Sequence, residues 1–142
     1  MPAQFCTFAL DGHLFGVPVN AVQEVLKQQV TTPVPLAAPE ICGLLNLRGQ
    51  IVTVVDLRVK LGLPTRSSER AINVVVRTAE GVVSLLVDQI GDVLEPAESS
   101  FEAPPDTVPA SVRALISAVC KLDDRLMLVL DTELAVTTRQ VA

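Results

Sequence analysis

One stretch of this sequence occurs twice in similar form, and the repeat limits the possible folds more than any other feature. When Ile41 is placed on Ile116, residues 50–57 align without a gap with residues 125–132, and Asp56 falls on Asp131. A slightly different offset lays residues 16–26 on residues 84–94. Internal similarity of this kind indicates that the chain is built from two related units joined by a loop.

The segments inside these units are short apolar runs rich in valine, which are typical of strands. Most are continuously apolar, so we expect them to be covered on both faces. Compact turns containing glycine or aspartate separate several runs and favour antiparallel hairpins. Because helical patterns are sparse, a sandwich or barrel is favoured over a βαβ sheet. The predicted strands cover residues 5–10, 14–19, 51–55, 72–76, 82–87 and 126–130.

Length and composition exclude several classes of protein. A chain of 142 residues, 49% of them hydrophobic, can bury a core without disulfide or metal support. A net charge of −5, four phenylalanines and no tryptophan or tyrosine give little basis for binding nucleic acid. No apolar stretch approaches the roughly 18 residues of a membrane span, and no signal peptide is evident. We therefore expect a cytoplasmic protein without direct membrane insertion.

The sequence carries no pattern of a catalytic or metal site. Its odd number of widely spaced cysteines, Cys6, Cys42 and Cys120, is interpreted as three reduced core thiols. The single histidine, His13, lies in a predicted turn, and neither a nucleophile elbow nor a phosphate-binding glycine loop is present. One enzymatic alternative stays open, in which carboxylates near Asp88 and Asp92 share a pocket.

Residues 43–58, GLLNLRGQIVTVVDLR, resemble the most specific signature of the CheW family of bacterial chemotaxis coupling proteins. The resemblance continues upstream through residues 8–10, 15–17 and 22–25. Downstream it includes residues 87–93, VDQIGDV. Nearly the whole chain is therefore similar to this family.

The resemblance implies a mainly β fold, in which two five-stranded SH3-like barrels with short helical turns pack around an apolar interface. Residues 1–142 would form one CheW-like domain. We expect the first barrel to span residues 15–77, and the second to combine residues 1–14 with residues 78–142.

The resemblance also implies a non-catalytic adaptor that needs no cofactor and no metal. Such a protein bridges the cytoplasmic tip of a chemoreceptor and the regulatory domain of a CheA-type histidine kinase, and it reaches membrane receptor arrays only through these partners. We expect weak or no self-association, because the acidic net charge resists aggregation. An alternative is the same role in a pilus-motility or other chemosensory pathway, and a nucleic-acid-binding small barrel is a further alternative.

Four residues match the family's receptor-binding positions. Val22 and Val93 would offer apolar contacts to a receptor helix, and Arg48 would hold a carboxylate or backbone carbonyls. Glu24 would accept a hydrogen bond from the receptor or from Arg48.

Structural interpretations stay open beside these roles. Both valines could instead be core residues. Arg48 could be a structural residue that fixes its hairpin by binding Glu24 or Asp56. Four further residues are interpreted as turn formers or helix caps: Asn46, Gly49, Asp56 and Asp131.

Overall fold

The computed structural model describes residues 3–27, 29–64 and 71–136. Eleven strands and three short α-helices follow one another in these ranges. The strands are β1 (Phe5–Leu10), β2 (His13–Pro18), β3 (Val22–Lys27), β4 (Ile41–Leu47), β5 (Gln50–Asp56), β6 (Ile72–Thr78), β7 (Gly81–Val87), β8 (Gln89–Leu94), β9 (Phe101–Glu102), β10 (Ile116–Lys121) and β11 (Leu126–Leu130). The helices are α1 (Leu57–Lys60), α2 (Ala110–Arg113) and α3 (Thr132–Val136).

The strands form two sheets. The order in the first is β3-β6-β7-β5-β4, and the order in the second is β8-β1-β2-β11-β10-β9. In the first sheet, a contact between Arg48 and Glu24 joins the two edge strands, and in the second Leu94 and Phe101 pack in one cluster. Both sheets therefore curl towards closure, and the fold agrees with the expected pair of SH3-like barrels, except that the second sheet has six strands instead of five because the short β9 adds to its edge.

The two barrels share the same arrangement of paired strands, as the sequence repeat predicts. Each contains one parallel pair, β5 with β7 and β11 with β2. Val54 pairs with Ser84 in the first barrel, and Val129 pairs with Gly16 in the second. The repeat aligns these residues with one another, so the two units agree in strand pairing down to the register.

The boundaries of the barrels differ from the expected ones. Strand β2 belongs to the second barrel and β7 to the first, so the first sheet spans residues 22–87 and the second joins residues 5–18 to 89–130. The expected boundaries at 14/15 and 77/78 would cut two hairpins, because β1 pairs with β2 and β6 with β7 over their full lengths. A tight hairpin keeps both of its strands in one sheet.

Apolar side chains fill three regions. Small clusters inside each barrel centre on Val52 in the first and on Met127 in the second. The largest cluster, the interbarrel core, lies between the barrels and includes Phe8, Phe15 and Leu85. Since both barrels contribute to this core, neither buries its apolar surface alone.

Candidate functional site

The turn between β4 and β5 presents the arginine of the signature segment. Leu47 pairs with Gln50, so Arg48 and Gly49 alone form the turn. Both have positive φ, 51° and 87°, as a type I′ hairpin requires. The Asn46 Oδ1 atom accepts a hydrogen bond of 2.9 Å from the Gly49 backbone N–H. Asn46 and Gly49 thus fix the turn from which the Arg48 side chain projects.

The Arg48 guanidinium donates a hydrogen bond to the Glu24 carboxylate on β3. The arginine side chain remains 70% exposed, whereas that of Glu24 is 21% exposed. An ion pair this exposed contributes little to stability, typically about 0–1 kcal/mol. The main effect of this ion pair is to restrain the position of the Arg48 guanidinium, which stays largely accessible to solvent.

The two valines of the predicted site have different environments. Val22 is half-buried and packs against the interbarrel core. Val93 lies on β8, an edge strand of the second barrel, and is 57% exposed. The repeat aligns Val93 with Val25 on β3, which is 44% exposed. Each barrel therefore presents one exposed valine on an edge strand.

The four predicted residues do not form one contact cluster. Arg48 and Glu24 touch, and Val22 shares β3 with Glu24. Val93 belongs to the other barrel, so its distance from this pair depends on how the barrels are oriented. A partner that contacts all four residues has to cross from one barrel to the other.

The second barrel has no counterpart of the Arg48–Glu24 ion pair. The repeat aligns Asp123 with Arg48 and Asp92 with Glu24, and both aspartates are exposed. The positions equivalent to Arg48 and Glu24 in the second barrel therefore both carry acidic groups, and the exposed Arg125 of the same hairpin end lies two residues further along the chain. An arginine paired with a glutamate at these two positions distinguishes the first barrel from the second.

Two aspartates cap the helices that follow equivalent strands. The Asp56 Oδ1 atom accepts a hydrogen bond of 3.0 Å from the Arg58 N–H at the start of α1. The Asp131 Oδ1 atom accepts one of 3.2 Å from the Leu134 N–H in α3. Both carboxylates satisfy backbone donors that a helix start leaves unpaired.

A buried arginine that the sequence reasoning did not single out joins the barrels. The Arg58 side chain is 5% exposed and forms ion pairs with Asp88 and Asp11. The hydrogen bond to Asp88 raises the pKa of Arg58 above its usual value, against the opposing effect of burial. The sequence contained a signal, because Arg58 and Asp88 both lie in segments that resemble the family, but their spacing does not show that they meet.

Neither Asp88 nor Asp92 lines either of two surface cavities formed by described residues. One, of about 350 Å³, lies between the start of β2 and Val108, and the other, of about 410 Å³, lies beside Lys60 and Ser111. The enzymatic alternative thus gains no support, since the Asp88 carboxylate is bound to Arg58. No cluster of three metal-ligating side chains occurs within residues 3–27, 29–64 and 71–136. No helix within the same ranges is long and apolar enough to cross a bilayer.

The interpretation of all three cysteines as core thiols is wrong for Cys42. All three are free, but only Cys120 is buried, whereas Cys6 is half-buried and Cys42 is exposed. Cys42 lies where the register between β4 and β5 shifts, between Ile41 and Gly43. A bulge of this kind re-aims a side chain, which a periodicity pattern cannot anticipate.

We expect Cys42 to be the first thiol alkylated by iodoacetamide in the folded protein, but at a lower rate than an unstructured cysteine peptide. Desolvation and the nearby Asp56 charge raise the pKa of the Cys42 thiol, which leaves less thiolate at pH 8. Its rate should still rise as the pH passes the ordinary thiol value of 9.0. Peptide mass spectrometry over time measures each site, and modification of Cys120 as fast as Cys42 would contradict the prediction.

Comparison with known proteins gives concordant matches in sequence and in structure. The model of the CheW-like domain family matches residues 4–140. "Chemotaxis protein CheW" of Bacillus subtilis (strain 168) is 34% identical over 127 residues, which cover 87% of this chain and 80% of that protein. "Chemotaxis protein CheW" of Klebsiella aerogenes is 26% identical over 140 residues, covering 98% and 84%. The crystal structure of the scaffolding protein TtCheW from Thermoanaerobacter tengcongensis superposes with a TM-score of 0.87 at 29% identity, covering 95% of this chain and 92% of that one.

Proposed function

This chain belongs to the CheW family of chemotaxis adaptors, and from that premise we propose that it couples chemoreceptors to a CheA-type histidine kinase by binding both. It acts by contact and performs no catalysis. One partner is the cytoplasmic tip of a chemoreceptor, and the other is the regulatory domain of the kinase. The protein reaches membrane receptor arrays through these partners.

The observation that carries the proposal is the exposed Arg48 guanidinium, held by Glu24 at the edge of the first barrel. A planar guanidinium with several donors suits a carboxylate or backbone carbonyls on a partner. Because Glu24 restrains the side chain before binding, less conformational entropy is lost when the partner docks. Arg48 and Glu24 are therefore proposed as the polar anchors of the receptor contact.

Val22 and Val93 are proposed as the apolar part of the same contact. The exposed Val93 side chain is available on β8, whereas the half-buried Val22 presents a smaller surface beside Glu24. An amphipathic helix recognises such a surface by placing apolar residues of one face against it. The receptor helix would thus lie across parts of both barrels.

The kinase contact is proposed to use the ends of the barrels, where related barrels can meet edge to edge. Interfaces of this kind bury roughly 1,000 Å² or less and are weak when single. Many copies in an array multiply their effect, because each bound neighbour raises the effective concentration of the next. The isolated protein is accordingly proposed to associate weakly or not at all with itself.

Binding to a receptor-tip fragment and to the kinase regulatory domain, both from the same organism, tests this function. Arg48→Ala should weaken receptor binding at least about tenfold while kinase binding is retained, since about 1.4 kcal/mol of binding energy corresponds to tenfold. Its melting temperature should stay close to that of the wild type, because the ion pair it breaks is exposed.

The matched control is Arg125→Ala, which removes an exposed arginine from the corresponding hairpin end of the second barrel. This variant should bind both partners as the wild type does. A folded wild-type protein that binds neither partner would overturn the proposed function. An Arg48→Ala variant that melts early would instead make Arg48 a structural residue.

A further inference from the structure

The chain crosses between the two barrels at a single residue after β7. Strand β7 ends at Val87 in the first barrel, and β8 begins at Gln89 in the second. Asp88 is the only residue between them. The earlier crossing, from β2 to β3, uses a 3₁₀ turn at Val19–Ala21. The relative orientation of the barrels therefore depends on a very short connection at Asp88.

Asp88 is held at this crossing by both barrels. Its Oδ1 atom accepts a hydrogen bond of 2.8 Å from Arg58 Nε, and its Oδ2 atom accepts another from Arg58 Nη2. The backbone N–H of Asp11, in the turn between β1 and β2, donates to Oδ2 at 3.0 Å. The backbone N–H of Asp88 donates to the carbonyl of Ala9 at 3.1 Å. Donors from the first and second barrels thus converge on one side chain.

Arg58 is fixed as firmly as its partner. Besides the two bonds to Asp88, its Nη1 atom donates to the Pro64 carbonyl at 2.6 Å and lies 3.6 Å from Asp11 Oδ1. Arg58, Asp88 and Asp11 together are called the Arg58 cluster below. Bidentate pairing of a guanidinium with a carboxylate fixes direction as well as distance. A buried ion pair is weak evidence for stability, so this directional constraint is the more informative property.

A second contact between a helix side chain and a hairpin turn of the other barrel occurs at the positions that the sequence repeat aligns with the first. Glu133 in α3 aligns with Arg58 in α1, and Ala79 aligns with Asp11. The Glu133 carboxylate accepts hydrogen bonds of 2.9 and 3.2 Å from the Ala79 N–H. In each case, a side chain of the helix that follows β5 or β11 contacts a hairpin turn of the other barrel: Arg58 contacts the β1–β2 turn and Glu133 contacts the β6–β7 turn. Two reciprocal contacts constrain the barrels more strongly than either contact alone.

We propose that Arg58 and Asp88 are positioning residues that set the orientation of the two barrels, and through it the spacing of the receptor-binding residues. Arg58 lies in α1, which directly follows β5 and thus the hairpin that carries Arg48. Asp88 directly precedes β8, the strand that carries Val93. The last step, from barrel orientation to receptor binding, rests on the proposed function. The first step, from the Arg58 cluster to barrel orientation, does not.

The orientation can be measured by electron–electron double resonance with spin labels at Ile51 and Leu126, exposed residues at equivalent positions of the two barrels. The labels are attached to cysteines introduced there, after replacement of the three native cysteines. Arg58→Met removes every hydrogen bond of the cluster donated by the arginine side chain while keeping an apolar stem. We expect the distribution of label distances to become at least twice as wide as in the wild type. Arg58→Lys should restore part of the narrow distribution, because it retains the charge.

The matched control is Glu102→Gln, which weakens the ion pair between Glu102 and Lys121 within the second barrel. It should leave the distance distribution unchanged. If Arg58→Met does not fold, Asp88→Asn takes its place, since it retains one accepting oxygen at the crossing. A folded variant of either kind with a wild-type distance distribution would overturn the proposal.

A parallel titration with the receptor-tip fragment tests the last step. We expect Arg58→Met to bind the fragment about tenfold more weakly, although residue 58 is buried and cannot touch the partner. If the distances broaden while receptor binding stays at the wild-type level, the coupling of orientation to binding is overturned. If the wild type itself binds no receptor fragment, the proposed function fails, and the label distances still decide the role of Arg58 and Asp88.

Discussion

Asp88→Ala is expected to lower the free energy of unfolding by about 3 kcal/mol, a large part of the total for a domain of this size. Among the residues that the structure describes, the substitution leaves the buried Arg58 guanidinium with Asp11 at 3.6 Å and the Pro64 carbonyl as its remaining partners. A buried charge without close compensation is among the costliest defects that a single substitution can create. Urea unfolding at neutral pH measures the change directly.

Arg58→Met is the informative comparison. Its free energy of unfolding should stay within about 1–2 kcal/mol of the wild-type value, a smaller decrease than for Asp88→Ala. Here the buried charge itself is removed, and the carboxylates left behind are partly exposed to water, Asp88 to 27% and Asp11 to 24%. The apolar methionine side chain can fill the space of the arginine stem. Equal destabilisation by the two substitutions would contradict this assignment of the burial cost to Arg58.

Phe8→Ala is expected to destabilise the protein by about 3–5 kcal/mol. Phe8 is fully buried in the interbarrel core and stacks on Phe15, with ring centroids 6.0 Å apart and planes inclined by 11°. Truncation would leave a cavity at the surface where the barrels meet. Because both barrels bury apolar groups there, we expect one cooperative unfolding transition at a lower urea concentration rather than separate unfolding of each barrel.

The control for this substitution is Phe101→Ala. Phe101 is half-buried on the short strand β9 and contacts Phe5 within the apolar cluster of the second barrel. Phe101→Ala should lower the free energy of unfolding clearly less than Phe8→Ala, because part of the Phe101 ring is already exposed to solvent. Two resolved unfolding transitions for Phe8→Ala would show that the barrels unfold independently. If Phe8→Ala lowers the free energy of unfolding no more than Phe101→Ala does, the interbarrel core contributes little to stability.

The proposed adaptor would carry a signal through its geometry. The residues proposed to meet the receptor lie on two barrels and would act together only at a fixed spacing. The interbarrel core holds the two barrels together, and the Arg58 cluster is proposed to set their relative orientation. Substitutions that loosen orientation should therefore impair coupling even where the protein remains folded.

Much of the local structure could be predicted from the sequence. The turn at Arg48 and Gly49 and the caps Asp56 and Asp131 are encoded by residues that are close in the chain, and the repeat is visible by comparing two segments of the sequence. The shared register of the two parallel strand pairs follows from the same repeat. These features depend on backbone geometry and hydrophobic pattern, which are properties of short segments.

The burial of individual valines could not be predicted in this way. Val22 and Val93 occur in similar apolar contexts, yet one packs against the interbarrel core and the other is exposed on an edge strand. Cys42 likewise lies in an apolar run but points outward at a bulge. For the valines the deciding factor is what covers the strand, and for Cys42 it is the shifted pairing with β5; both are set by residues elsewhere in the chain.

The sequence by itself determined the family, the mainly β architecture, the double repeat and the local turns and caps, because each can be read from the residue pattern along the chain without knowing which segments meet in space. Only the tertiary structure decided the membership of β2 and β7, the exposure of each candidate side chain and the existence of the Arg58 cluster. That cluster joins residues 30 and 77 positions apart. Whether two charges so distant in the chain meet in space depends on the packing of the barrels, and no local pattern of charge or hydrophobicity encodes that arrangement.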